Sequence, residues 1–145
     1  MDNISYHGTS SEFAESIVGP PSNVDLTLGK GELGKGFYTG SSIALAAIWA
    51  RSRYEDQGVV IEFEIPKANF VQLKGLLIKT QHEVVTHWET LKLAKKTKKF
   101  KFEDIDYVVA PFATVEHTGN QFKFESKKAE DELNSSNKII YPCVS

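Results

Sequence analysis

An imidazole, a phenol and an indole are the side chains whose spacing in this sequence suits small-ligand chemistry. His7 lies in Ser5-Tyr6-His7-Gly8-Thr9, and Tyr38 in Gly34-Lys35-Gly36-Phe37-Tyr38-Thr39-Gly40. Trp49 follows in Ala46-Ala47-Ile48-Trp49-Ala50. His7 can donate to a sugar hydroxyl, and Gly8 can offer bare backbone N–H and C=O to a planar amide. Phe37 and Tyr38 point to opposite faces of a strand, so one packs inside and the other is free to face a ligand. A flat cationic ring is drawn to aromatic faces. Tyr38 from a strand and Trp49 from the next helix would hold one as a sandwich. These pieces fit one pocket for a nicotinamide dinucleotide. Each also has a plainer reading, with His7 a hydrogen-bonded core histidine and Trp49 simply core. Zinc is not expected. No Cys or Glu near His7 has ligand spacing, His82 and His87 are five apart and do not share a helix face, and His117 falls in a loop.

The elements that must position these residues follow from periodicity and punctuation. Ile4 to His7 reads as a strand turning at Gly8. Ser10-Ser11-Glu12 opens a helix with Phe13, Ala14, Ile17 and Val18 on one face, and Gly19-Pro20-Pro21 stops it. Residues 22 to 35 read as a glycine-bearing loop, either a lid or a surface connection. Gly36 to Thr39 is a strand. Ser41 or Ser42 caps a helix to about Tyr54, with Ala44, Ala47 and Ile48 on its packing face. Gly58 to Ile65 alternates most cleanly, with Val59, Ile61, Phe63 and Ile65 on one side. Phe70 to Leu73 reads as a further strand or edge segment, and Thr80 to Lys98 as one long helix. Ile105 to Ala110 and Gln121 to Glu125 are strands, with Phe122 and Phe124 on one face of the second. Lys127 to Leu133 is a helix, and Ile139 to Val144 a last strand. Acidic residues 103, 104 and 106 read as a solvated approach to a strand. The sum is an α+β domain on a mainly antiparallel sheet.

The 145 residues suit one domain, and 41% hydrophobic with 25% charged composition points to a globular chain and not a disordered one. A net charge of −2 advertises neither nucleic acid nor membrane. Lysines 95, 96, 98 and 99 crowd the end of the long helix, as its dipole favours; a nucleic-acid patch is the alternative. The single Cys143 cannot form an internal disulfide, which favours a reducing, cytoplasmic setting. No run reaches membrane-span length and no secretory signal of the usual form opens the chain, so delivery into a target cell would need another route.

Tyr6-His7-Gly8-Thr9, Gly34-Lys35-Gly36-Phe37-Tyr38-Thr39 and Ala46-Ala47-Ile48-Trp49-Ala50 resemble the ADP-ribosyltransferases of the diphtheria-toxin and poly-ADP-ribose-polymerase type. Among these, they look like the small bacterial and phage proteins of the DUF3990 kind. Asp106-Tyr107-Val108-Val109-Ala110-Pro111 followed by Asn120-Gln121-Phe122-Lys123-Phe124 is similar to the end of that domain. The resemblance implies a split, mainly antiparallel sheet with flanking helices. It implies NAD as substrate, no metal, and transfer of ADP-ribose to a protein or nucleic acid. A toxin or effector role follows by analogy, with a cognate antitoxin or immunity protein as partner. An NAD glycohydrolase or a weak NAD- or ADP-ribose-binding module are the alternatives. His7 would hold the ribose and Gly8 the nicotinamide amide, with Thr9 and Gly36 beside them. Tyr38 would stack on the ring, and Trp49 stands where a second aromatic is expected.

The third position of that family is often a glutamate opening a late strand; here it is Gln121. Cleaving the nicotinamide–ribose bond leaves positive charge on C1′ and the ring oxygen, as in glycoside cleavage. A glutamate supplies a hydrogen bond, negative potential and a base, whereas Gln121 supplies only the hydrogen bond. One modification per acceptor is therefore expected, not chain growth. Glu125 is about 13 Å along the strand at roughly 3.3 Å per residue, too far to substitute, so Glu116 in the preceding loop is the second choice. On this reading Gln121→Glu raises NAD hydrolysis, and Tyr38→Ala weakens NAD binding without touching the fold.

Overall fold

The computed structural model describes residues 1–26, 29–113 and 119–143. The elements run β1 (Asn3–Ser10), α1 (Ser11–Val18), β2 (Lys30–Gly31), β3 (Gly34–Lys35), β4 (Phe37–Gly40), α2 (Ile43–Tyr54), β5 (Gly58–Ile65), α3 (Lys67–Phe70), β6 (Gly75–Leu77), α4 (Gln81–Leu93), β7 (Tyr107–Ala110), β8 (Gln121–Phe124), α5 (Lys127–Ser135) and β9 (Asn137–Pro142). The class is α+β, and the strand pairing is mixed: β6 and β7 run parallel, while the other recorded ladders are antiparallel. The chain divides into two compact units, Met1–Val24 with Thr39–Gln72 and Asp131–Ser145, and Asp25–Tyr38 with Leu73–Glu130.

In the first unit the strand order is β4, β1, β5, β9. β1 pairs with β5 without interruption from Asn3↔Ile65 to Ser10↔Gly58, so it runs three residues past His7 instead of turning at Gly8. Alternation then puts His7 with Ser5, Thr9 and the buried Ile61, Phe63 and Ile65 on one face. Gly8 lies on the other face, where a Cβ would stand 2.3 Å from the Ala46 carbonyl oxygen. Only glycine lets α2 approach β1 this closely. That contact also selects the packing face of α2, which is Leu45, Ala46 and Ala50; Ile48 is exposed. Ser10 caps α1 and Ser42 caps α2, each hydroxyl accepting the N–H three residues on.

The second unit pairs β6, β7 and β8. Its apolar core joins Leu33, Val84, Val108, Ala110 and Ala113, with Trp88 and Ile105 packed against it. Four expectations are corrected along the chain. Residues after Pro66 form the short helix α3 and a turn, with Asn69, Phe70 and Val71 N–H groups bonded to Pro66 and Lys67 carbonyls, so there is no strand at Phe70–Leu73. The strand lies further on as β6, and Asp106 fixes it. Asp106 donates its N–H to the Lys74 carbonyl at 2.7 Å and accepts the Lys74 N–H on Oδ2 at 2.7 Å. Ser126 donates to the other oxygen at 2.6 Å, so Asp106 is structural, not merely solvated. Helix α4 ends at Leu93, short of Lys98, because Lys95 takes φ +56° and the Lys95 and Lys96 N–H groups turn back to the Lys92 and Leu91 carbonyls. That closure usually marks itself with glycine; here a lysine fills the left-handed position. The last strand is Asn137–Pro142, and Val144 of the expected Ile139–Val144 lies outside the described residues.

Candidate functional site

Within the glycine-bearing stretch expected to be loop, β2 and β3 form a hairpin. Lys30 pairs with Lys35 and Gly31 with Gly34, around a two-residue turn, Glu32-Leu33. Gly34 takes φ +100°, a conformation other residues resist. Leu33 drives the turn into the apolar core, fully buried. Phe37 is the inward ring of the aromatic pair. Tyr38, expected to be free for a ligand, instead braces the hairpin. Its hydroxyl donates to the Gly34 carbonyl at 2.5 Å and accepts the Leu33 N–H at 3.1 Å. Its ring fills the space in which a Cβ on Gly31 would come within 2.7 Å of it. Burial pushes the phenol well above its ordinary range; the Leu33 N–H opposes the shift, while the Glu32 and Glu125 carboxylates add to it. Tyr38 therefore works as a neutral hydroxyl, and Tyr38→Ala would cost the hairpin its brace as well as removing a ring.

Gln121 opens β8 and is 3% exposed. Its Nε2 donates to Glu32 Oε1 at 2.8 Å and to the Pro111 carbonyl at 3.0 Å. Both neighbours are acceptors, so the amide nitrogen must face them and the carbonyl oxygen must face away. Glu32 Oε1 also accepts the Ala113 N–H at 2.8 Å. Tyr38 and Gln121 thus grip adjacent residues of one turn, Leu33 and Glu32. Glu32 was not legible as a site residue: the only signal is one acid between Gly31 and Leu33, ahead of the glycine-framed strand. The geometry also changes the outlook for Gln121→Glu, which would set two carboxylates at 2.8 Å and lose the donor to Pro111.

Further along β8, Lys123 and Glu125 form an ion pair at 0% and 1% exposure. Glu125 Oε2 also accepts the Phe102 N–H at 3.1 Å, and the Lys123 ammonium lies 5.3 Å from the Phe102 ring centroid. Burial lowers the Lys123 pKa, and the bond to Glu125 opposes that. Gly36 makes room for this lysine: a Cβ there would be 2.9 Å from its Cγ and Cε. His87 stacks on Phe102 at 5.1 Å between ring centroids, and its Nε2 is buried with no hydrogen-bond partner among the described residues. Burial lowers its pKa below the usual 6.5, and the Lys123 charge lowers it further. Glu125 is thus committed inside the fold, as well as distant from Gln121.

In the first unit, Gly8 meets α2 while His7 points to the opposite face of β1, and Thr9 is buried beside it. Trp49 is not core: it is 48% exposed on α2. Glu116 and His117 lie outside the described residues. Among the described residues no three His, Cys, Asp or Glu side chains cluster as a metal site, and no helix is long and apolar enough to cross a membrane. No protein-family model matches the chain, and comparison with curated proteins finds no match.

Proposed function

We propose that this chain is an NAD-dependent mono-ADP-ribosyltransferase, which releases nicotinamide and passes ADP-ribose to a macromolecular acceptor. One observation supports the reading above the others. Tyr38 and Gln121, far apart in sequence and assigned to one ligand by resemblance alone, hold adjacent residues of the same turn. Neutral nicotinamide is a good leaving group, so the protein needs to position the ribose and stabilise the cation, not protonate the departing ring. His7 would hold the ribose and Gly8 the carboxamide. The resemblance assigns Tyr38 to the nicotinamide ring, through its face because its hydroxyl is engaged, and Trp49 to a second aromatic position. The resemblance assigns Thr9 and Gly36 to ligand contacts as well. A protein or nucleic-acid acceptor, a toxin or effector role, and an antitoxin or immunity partner follow from the resemblance.

The test incubates the protein with NAD labelled in the ADP-ribose part, with and without cell extract. Labelled macromolecule together with released nicotinamide is the expected result. Free ADP-ribose alone would make the protein a glycohydrolase, and binding without turnover an NAD-binding module. Absence of both binding and turnover would remove NAD from the account.

A further inference from the structure

We propose that Glu32 is the working carboxylate of this reaction, and that Gln121 is the positioning residue that aims it. The inference rests on the NAD reading above. Gln121 is buried, and its amide nitrogen is fully used by Glu32 and Pro111. Glu32 is partly exposed in a two-residue turn, and both recorded hydrogen bonds fall on one oxygen, Oε1. Two donors on one carboxylate oxygen fix the orientation of the group, and the second oxygen belongs to the same charge. An amide donor and a backbone N–H both require an acceptor, and a carboxylate oxygen is one. Formal negative charge is what Gln121 lacks, and it stands 2.8 Å from Gln121.

In the step this implies, the C1′–N bond of NAD breaks and its electron pair goes to the nicotinamide nitrogen, which leaves neutral. C1′ becomes an oxocarbenium carbon, whose charge the Glu32 carboxylate offsets. The acceptor's O–H or N–H group forms the new bond to C1′, and its proton passes to Glu32 and then to solvent. No oxidant, metal or further reactant enters.

The test compares wild type with Glu32→Gln, Glu32→Asp and Gln121→Ala, reading kcat and KM for nicotinamide release and the thermal unfolding of each. Glu32→Gln keeps an oxygen for the Ala113 and Gln121 donors and removes only the charge. It is expected to lower kcat about 10²–10⁴-fold, the usual cost of losing such a base, with KM changed less than about threefold. Glu32→Asp, which keeps the charge, should recover at least tenfold of that loss, and Gln121→Ala should lose less than Glu32→Gln. Wild-type turnover with undiminished kcat in Glu32→Gln would overturn the proposal and leave the NAD reading standing. So would a larger loss in Gln121→Ala than in Glu32→Gln. A wild type that neither binds nor cleaves NAD would overturn both. Should Glu32→Gln not fold, Glu32→Asp decides: a kcat loss of up to about 10³-fold supports the proposal, and a larger loss overturns it.

Discussion

Strands β5 and β8 fill their inward positions with opposite chemistry. β5 buries Val60, Ile61, Phe63 and Ile65, and its interior is hydrocarbon. β8 and the residue after it bury Gln121, Lys123 and Glu125 with Phe124. Hydrocarbon needs only neighbours of suitable volume, and many sequences supply them. Each buried polar group needs a specific partner, because leaving it unpaired costs more than the bond gains. Lys123 and Glu125 pair with each other, and the remaining partners come from remote segments: Glu32, the Phe102 N–H and the Pro111 carbonyl. The apolar strand is held by composition, and the polar one by particular residues elsewhere in the chain.

This contrast can be broken first at the ion pair. Lys123→Met strands the Glu125 carboxylate in the interior and is expected to cost about 3–5 kcal/mol by chemical denaturation. The double variant Lys123→Met/Glu125→Leu removes both charges and should recover most of that loss, short of the acceptor owed to Phe102. A double variant as unstable as the single one would mean that lysine packing, not charge, holds the strand. A smaller effect is expected at the hairpin. Tyr38→Phe keeps the ring but leaves the Leu33 N–H and Gly34 carbonyl unpaired, costing about 1–3 kcal/mol in the same measurement. The smallest concerns His87. Its folded pKa lies below the unfolded value near 6.5, so the unfolded chain binds more protons as pH falls through that region. Stability is therefore full above about pH 6.5 and declines as the pH drops toward the lowered folded value. His87→Phe should flatten that slope in melting curves taken from pH 7.5 to 5.5. An unchanged slope would assign it to the carboxylates.

The same contrast explains what the sequence revealed. β5 was legible to the residue because alternating apolar side chains report an apolar interior. Serine caps were legible to within a residue, at Ser10-Ser11 and at Ser41 or Ser42, because a cap's partner lies three residues away; the caps are Ser10 and Ser42. β6 was not, because a three-residue parallel strand takes its position from β7 and Asp106, more than thirty residues on. The α4 terminus was hidden by a lysine in a place glycine normally announces. His7, Tyr38 and Gln121, the residues the resemblance singles out, each stood out by residue type and motif, and all three lie on strands. What they touch did not stand out. The sequence did not show that Gly8 lies under Ala46, and Tyr38 reads as free until Gly34 and Leu33 claim its hydroxyl.

Lys123 and Glu125 are two residues apart on one extended segment. Their encounter closes almost no loop, so it draws little on chain entropy and needs no distant region to be in place beforehand. In the folded protein the aromatic residues at 100 and 102 lie against this electrically balanced unit. An equivalent bridge assembled from opposite ends of the polypeptide would leave one bare ion waiting in a drying environment for the other to arrive.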